Sequence, residues 1–213
     1  LTIIENGVLY GFLLDSTCFW QKTMFFEPLV FLGTEYPEFH NAKPTLSFTP
    51  EEEKKGRNLL EEMGINPDKD WFVCIYARDA RYLQERTPHN NWSYHNYRNA
   101  DIKTFRRAID YIVQRGGFVL RMGHLVAEPL RETHTRVIDY ATRFRNDFMD
   151  IYLIAKCRFF LGTPAGIADV TSIFDTPRVA VNWAPLGAGP LSRNCIFIPK
   201  KIRKRGSGEY IRF

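Results

Sequence analysis

Short continuous runs of apolar residues alternate along the chain with longer segments whose apolar residues recur at helical spacing. The continuous runs are of strand length and lack polar alternation, which is typical of strands buried on both faces of a parallel sheet. We assign strands to residues 71–77, 118–122, 137–140, 158–161 and 178–181. We assign helices to residues 101–114, 147–155 and 166–174. This alternation predicts an α/β fold with a Rossmann-like parallel sheet, helices on both faces and right-handed crossovers.

The first helix of this domain has a clear start signal. Thr49 can cap the helix, Pro50 suits its first turn, and the glutamates at 51–53 favour the positive end of the helix dipole. Gly64 ends the helix. The preceding residues are rich in aromatics, lack helical periodicity and are interrupted by prolines, so we expect short strands and an extended connector there.

These patterns divide the chain into three parts. Residues 1–48 are expected to be a remnant of, or a link to, an N-terminal domain. Residues 49–192 form the Rossmann-like domain, and residues 193–213 form a basic C-terminal segment. Because the chain begins with Leu1 and not with Met, we expect it to be a piece of a longer chain.

The positive charge lies mainly at one end of the chain. The formal net charge is +5, but residues 193–213 contain seven basic residues and one acidic residue, which leaves the rest nearly neutral. This distribution disfavours a nucleic-acid-binding protein, which needs a basic stripe on its folded surface. The basic run at 200–205 can contact anionic lipid, or it can be an ordinary solvated charge run.

The apolar runs and the cysteines bear on localisation. No run approaches the roughly 20 apolar residues that a membrane helix needs. Cys74 and Cys157 lie inside apolar runs, which suits buried thiols in a reducing compartment. We therefore expect a cytoplasmic protein that makes, at most, a peripheral contact with the inner membrane through its basic segment.

Candidate binding residues follow the predicted strands. In open α/β sheets, ligands bind at the carboxyl ends of the strands, and these ends lie at one edge. Arg78 and Asp79 follow the first strand, and Arg121 and Gly123 end the second. The turn at 162–166 follows the third. The side chains at these positions are therefore expected to share a cleft.

The turn at 162–166 leads directly into a helix. Free backbone N–H groups, the hydroxyl of Thr163 and the positive end of the helix dipole make such a turn a natural phosphate site. The alternative is a tight turn in which glycine serves geometry alone. Arg78 can form bidentate bonds with the same phosphate, or it can form a structural ion pair with Asp79.

No metal site is expected. Asp68 and Asp70 spell D-x-D, but they precede a strand, and this places them at the opposite edge of the sheet. The histidines show no metal-ligand spacing. The long polar stretch at 78–99 has no periodicity, and a loop of that length in a compact domain is usually functional or mobile.

Four segments together resemble a known family. They are residues 94–102, 121–123, 147–157 and 160–166, and they occur in the family's order and spacing. The family consists of bacterial glycosyltransferases encoded among surface-polysaccharide genes, and it is distantly similar to the fucosyltransferase-like GT-B enzymes. The resemblance spans about residues 71–183.

The resemblance implies that this chain is the nucleotide-sugar-binding, C-terminal half of a GT-B glycosyltransferase. Such an enzyme would move a sugar from a nucleotide sugar to a surface polysaccharide, another glycan or a lipid-linked acceptor, without a metal or other cofactor. Two departures stand out. Tyr76 replaces the histidine of the H-x-R motif of the fucosyltransferase-like group, which here ends at Arg78. Pro164 and Ala165 replace two serines of its T-S-S-G turn.

The resemblance also implies roles for individual residues. The donor diphosphate would lie on Thr163, Ala165 and Gly166, with Arg78 and Arg121 as counter-charges and Asp79 beside them. The base and ribose would lie near Gly123, Asn146 and Asp147. The acceptor loop would contribute Tyr94, Tyr97, Arg98 and Asn99. The general base would come from an N-terminal part, from Asp79 or from residues 81–99.

Two other functions remain open from the sequence. The departures at Tyr76, Pro164 and Ala165 suit a non-catalytic module that binds nucleotides or glycans in a polysaccharide assembly system. A regulatory domain that binds a nucleotide or phosphate is the third possibility, and it predicts no preference for the sugar conjugate. GT-B enzymes close a cleft between two domains, so a missing N-terminal domain is the expected partner of the enzyme.

Overall fold

The fold was analysed in a computed structural model. The structure describes residues 22, 24, 43–44, 46–131, 134–184 and 194–211, and all elements named below belong to the compact unit that spans residues 35–213. The strands expected within residues 1–48 lie outside the described residues.

Six parallel strands form one sheet in the described part of the chain. They are β1 (Phe72–Tyr76), β2 (Phe118–Arg121), β3 (Val137–Ile138), β4 (Phe160–Gly162), β5 (Arg178–Trp183) and β6 (Cys195–Pro199). Their spatial order is β3-β2-β1-β4-β5-β6, which is the order of the doubly wound dinucleotide-binding fold. The predicted α/β fold with a parallel sheet is confirmed.

The strand order reverses beside β1. From β1 the sheet grows through β2 and β3 in one direction and through β4, β5 and β6 in the other. In the register of the central pair, Cys74 lies opposite Phe160 and Tyr76 lies opposite Gly162. A crevice therefore opens where β1 and β4 end, and this is where doubly wound proteins bind their ligands.

Helices cover both faces of the sheet. The α-helices are α1 (Pro50–Glu62), α2 (Arg81–Arg86), α3 (Arg106–Gln114), α4 (Tyr140–Arg143), α5 (Asp147–Lys156) and α6 (Gly166–Phe174). Strand residues alternate between the faces. Cys74 and Leu120 lie in a core with residues of α1 and α5, whereas Val73 and Val119 lie in a second core with residues of α3.

The start of α1 has the local structure that its sequence predicts. The hydroxyl of Thr49 accepts a hydrogen bond from the Glu52 N–H at 3.2 Å, and the Glu52 carboxylate accepts one from the Thr49 N–H at 2.8 Å. Pro50 occupies the first turn. This reciprocal pair satisfies two N–H groups that a helix end otherwise leaves unpaired.

The polar stretch at 78–99 contains elements that periodicity does not reveal. It holds α2 and a 3-10 helix at Ser93–Arg98, and neither has a fully buried residue. Helices without a buried face leave no apolar period in the sequence. A second 3-10 helix, Ile102–Phe105, forms the first turn of the helix predicted at 101–114, and the Asp101 carboxylate caps it.

The sheet also extends into the segment at 193–213. β6 pairs with β5 in parallel, with Val179 opposite Ile196. This part of the basic segment therefore belongs to the Rossmann-like sheet and not to a separate tail. After β6, residues 202–211 double back, and the Ile211 N–H donates to the Ile202 carbonyl at 2.9 Å.

Candidate active site at the switch point of the sheet

The ends of β1 and β4 are tied together by two hydrogen bonds. The backbone N–H of Arg78 donates to the hydroxyl oxygen of Thr163 at 2.9 Å, and the N–H of Thr163 donates to the Tyr76 carbonyl at 3.1 Å. The structure thus brings together two residues that are 85 positions apart. Because Thr163 is fully buried, its hydroxyl joins the strands and is not presented at a surface.

Arg78 carries an unneutralised charge beside the crevice. Its side chain is only 7% exposed, and its guanidinium donates to the Asn99 amide oxygen and, at 3.3 Å, to the His95 carbonyl. Burial, reinforced by the neighbouring Arg98, lowers the pKa of Arg78. It has no carboxylate partner among the described residues. A cation desolvated in this way favours an anionic ligand.

Arg98 places a second guanidinium at the turn before α6. One terminal nitrogen donates to the Pro164 carbonyl at 3.4 Å, which is long for a hydrogen bond. Its Nε is buried and has no hydrogen-bond partner in the described part of the chain. The sequence assigned Arg98 to the acceptor loop, but the structure puts its side chain beside the predicted phosphate turn.

The start of α6 provides backbone donors at the same place. Ala165 is the N-cap, has an extended backbone and makes no side-chain capping bond. Gly166 follows as the first helical residue, and a Cβ built there would meet nothing within 4 Å. The first N–H groups of a helix have no partner within it, and the helix dipole makes them attractive to anions. Pro164 has no N–H to add.

A third cation reaches the site from the end of β6. The Lys200 ammonium donates to the carbonyls of Tyr97 and Asn99, at 2.7 and 2.9 Å. Sequence reasoning missed this residue because it read the basic run as one solvated segment. The signal was present, since Lys200 directly follows a strand, as Arg78 does.

Asp79 has a different set of partners from the one expected. One carboxylate oxygen accepts the Arg81 N–H at 2.9 Å, and the other accepts the Ala127 N–H at 3.0 Å. Within the described residues it forms no ion pair with Arg78. Asp79 therefore holds the loops that follow β1 and β2.

Arg121 lies in a buried ion pair, and in the described part of the chain its guanidinium shares no hydrogen-bond partner with Arg78 or Arg98. It is 2% exposed, and its guanidinium contacts the Asp139 carboxylate at 3.1 Å and the Glu128 carbonyl at 3.2 Å. Asp139, which is equally sequestered, also accepts bonds from the Leu130 N–H and the Thr142 hydroxyl. The geometry favours a structural role for Arg121 over the role of a counter-charge for the diphosphate.

The residues predicted near the base and ribose have local partners of their own. Gly123 has a φ of +153°, and a Cβ there would lie 2.7 Å from a methyl group of Val126. Asn146 caps α5 by accepting the Met149 N–H at 2.9 Å. Asp147 is largely exposed and pairs with Arg145. A nucleotide contact of these three residues stays a prediction.

The aromatic rings of the 93–98 helix form a partly exposed cluster. Tyr94 and Tyr97 are 62% and 49% exposed. The His95 ring lies 4.1 Å from that of Tyr94 and is stacked on Trp92 at 5.8 Å. Partial burial lowers the pKa of His95, as do the charges of Arg78 and Arg98. The exposed faces of the two tyrosines can accept a sugar, as the resemblance implies.

A cavity of about 780 Å³ lies outside this crevice. It is bounded by α3 and by the loop after β2, with Ile109 and Leu130 among its apolar walls and Lys103 and Arg131 among its charged ones. Arg78, Arg98 and Lys200 do not line it. In the described part of the chain, no three His, Cys, Asp or Glu side chains cluster as metal ligands would.

Two solved structures are similar to this chain. The glycosyl transferase family 9 protein from Veillonella parvula DSM 2008 is 15% identical, with a TM-score of 0.50, over 72% of this chain and 42% of that one. E. coli ADP-heptose LPS heptosyltransferase II is 16% identical, with a TM-score of 0.48, over 78% of this chain and 47% of that one. No family model and no curated protein matches the sequence.

These likenesses define a class of fold. The parallel six-stranded sheet with its helices is an α/β fold similar to that of GT-B glycosyltransferase structures. The chain spans less than half of either neighbour. The likeness to fucosyltransferase-like enzymes stays a prediction. Among the described helices, none is long and apolar enough to span a membrane.

Proposed function

We propose that this chain is the nucleotide-sugar-binding part of a glycosyltransferase that acts on a surface polysaccharide or another glycan. One observation carries the proposal. Arg98 contacts the turn before α6, the Arg78 guanidinium binds the segment that carries Arg98, and no carboxylate among the described residues pairs with either arginine. Two guanidinium groups and a helix N-terminus suit a diphosphate in charge and in donor geometry.

In the proposed reaction, these cations stabilise the leaving group. The bond between the anomeric carbon of the sugar and the β-phosphate oxygen breaks, and the acceptor hydroxyl oxygen bonds to that carbon. Negative charge develops on the departing diphosphate, where fixed guanidinium groups and helix N–H donors stabilise it. Metal independence is part of this proposal, because the cations would take the role that a metal ion has elsewhere.

The proton of the acceptor hydroxyl must pass to a base. Asp79 is disfavoured, because backbone N–H groups occupy both of its oxygens. The 81–99 segment and a part of the enzyme outside this chain remain the candidate sources. Since the chain spans less than half of its structural neighbours, transfer is proposed for the whole enzyme, and donor binding is proposed for this chain.

Ligand-dependent stabilisation tests the proposal. The panel is ADP, GDP, UDP and CMP with their sugar conjugates, and the readout is the shift in thermal unfolding. A ligand present at 100 times its dissociation constant stabilises the folded state by about 2.7 kcal/mol. We expect one nucleoside diphosphate to do so, and Arg98→Ala to weaken its affinity about 100-fold, which leaves less than about 0.5 kcal/mol of stabilisation at the same concentration. Arg81→Ala is the matched control, because Arg81 lies in α2 and pairs with Glu85.

The outcomes discriminate between functions. Stabilisation by a diphosphate that survives in Arg98→Ala would refute the proposed phosphate site. Equal stabilisation by a nucleotide and by its sugar conjugate would favour a regulatory domain.

A non-catalytic nucleotide- or glycan-binding module is the second candidate. The residues that favour it are Pro164 and Ala165, which leave the start of α6 without side-chain hydroxyls. Such a module would bind the nucleotide sugar but would not transfer the sugar when the full-length protein is supplied with acceptor. Product analysis with the full-length protein separates the two functions.

We also propose a cytoplasmic location, with the basic C-terminal segment as the part that would contact the inner membrane. The exposed side chains of Lys201, Arg203 and Arg205 support this, with the exposed Ile202 and Ile211 beside them. Cations next to apolar groups suit an anionic lipid surface.

A further inference from the structure

Lys200 joins the end of the sheet to the segment that carries Arg98. Its backbone N–H donates to the Trp183 carbonyl at 3.0 Å, which continues the pairing between β5 and β6. Its side chain then reaches back 103 positions to the Tyr97 carbonyl and 101 positions to the Asn99 carbonyl. The lysine is therefore anchored at both ends.

The two carbonyls flank Arg98 directly. Arg98 contacts the Pro164 carbonyl, and Asn99 accepts a hydrogen bond from the Arg78 guanidinium. At the edges of this segment, the His95 N–H donates to the Trp92 carbonyl and the Asn99 N–H donates to the Asn96 carbonyl. Just after it, the Ala100 N–H donates to the Arg78 carbonyl at 2.9 Å. No residue of this helix is fully buried. Packing alone therefore provides little to fix its position.

The ammonium of Lys200 also adds a charge. It has three N–H donors, of which two bind the carbonyls. No carboxylate pairs with it among the described residues.

We propose that Lys200 is a positioning residue, which clamps the 97–99 backbone so that Arg98 faces the phosphate turn before α6. The effect on ligand affinity rests on the proposed function, whereas the effect on the backbone does not. The neighbouring Lys201 provides a matched control, because it is exposed and its ammonium lies 5.5 Å from the centre of the Tyr210 ring.

Hydrogen exchange tests the clamp without a ligand. We expect Lys200→Met to speed amide exchange at His95 and Asn99 at least about five-fold relative to wild type, because local opening sets exchange rates. Exchange in β1 and β4 should not change, and Lys201→Met should leave all of these rates unchanged. Unchanged exchange at both amides in Lys200→Met would overturn the proposal, whether or not the protein binds nucleotides.

A double-mutant cycle with inorganic pyrophosphate tests the route through Arg98. We expect Lys200→Met to weaken pyrophosphate binding about ten-fold when Arg98 is present and less than two-fold in the Arg98→Ala background. Such non-additivity is what residues that act as a unit show. An equal loss in both backgrounds would indicate a direct or purely structural effect and would overturn the positioning role.

A failure of the proposed function would give a different pattern of results from a failure of the clamp. In that case the wild-type chain would bind no pyrophosphate, while faster exchange at His95 and Asn99 in Lys200→Met would still support the clamp.

Discussion

The buried pair of Arg121 and Asp139 predicts that Arg121 contributes to the stability of the fold and not to ligand binding. Arg98 is predicted to contribute to ligand binding instead. Arg121 is 2% exposed and Asp139 is 6% exposed, with 3.1 Å between the guanidinium and the carboxylate. Arg121→Met would leave the carboxylate buried without its counter-charge. Breaking a buried pair in this way costs about 3–5 kcal/mol. For a domain of this size, that corresponds to a fall of roughly 10 °C in Tm.

Urea titration and thermal unfolding measure this cost, and pyrophosphate titration measures binding. We expect Arg121→Met to lower the free energy of unfolding by the amount given above but to leave pyrophosphate affinity within about two-fold where the protein is folded. Arg98→Ala should show the opposite pattern. Arg106→Met is the control, since its pair with Asp110 is half exposed and such pairs contribute about 0–1 kcal/mol.

Two results would refute this reasoning. A loss of less than about 1 kcal/mol in Arg121→Met would mean that the pair is not desolvated as its burial indicates. A large loss of pyrophosphate affinity in the folded variant would return Arg121 to the counter-charge role that the sequence assigns to it.

Three further predictions follow from local geometry. Gly56→Ala should destabilise the fold by about 1–3 kcal/mol in urea titration, because its Cβ would lie 2.2 Å from the Tyr152 ring. Gly64→Ala is the control, because a Cβ there would meet nothing within 4 Å while the backbone φ is +81°. Its loss of stability should therefore measure only the cost of placing an L side chain in the left-handed region. Thr49→Ala should cost about 1 kcal/mol of thermal stability, whereas Thr49→Ser should cost less because it keeps the cap hydroxyl. The pKa of His95 lies below its usual value because of burial, Arg78 and Arg98, so its contribution to stability is complete above the unfolded pKa of about 6.5 and is lost as the pH falls through the folded pKa. An NMR titration of His95 should therefore show a midpoint that moves up in Arg98→Ala, and an unmoved midpoint would contradict this cause.

The sheet and the convergence of its strand ends were predictable, because both follow from local apolar patterns and a general rule. Continuous apolar runs indicate buried parallel strands, and parallel strands end at one edge. Arg78 and Thr163 could therefore be expected in one cleft. β6 was missed because its apolar run is followed at once by lysines, and the charge dominated the interpretation of 193–213.

The partners of individual side chains could not be predicted. The sequence places Arg121 at a strand end, but only the register of β2 with β3, in which Leu120 lies opposite Ile138, puts Asp139 beside it. Asp79 likewise received a catalytic role from its place in the chain, whereas both of its oxygens bind backbone N–H groups. Side-chain direction depends on loop conformation, and the loop from Met122 to the start of β3 has no periodic signal.

The pairing of β1 with β4 predicts that the crevice forms late in folding. Arg78 and Thr163 are 85 positions apart, and the chain between them passes through β2, β3 and three connections. Contacts of such long sequence separation form slowly, because loop closure precedes any gain in contact energy. Anion binding at this crevice would consequently report that the centre of the sheet has closed, and a stopped-flow refolding experiment could use it as a probe of that step.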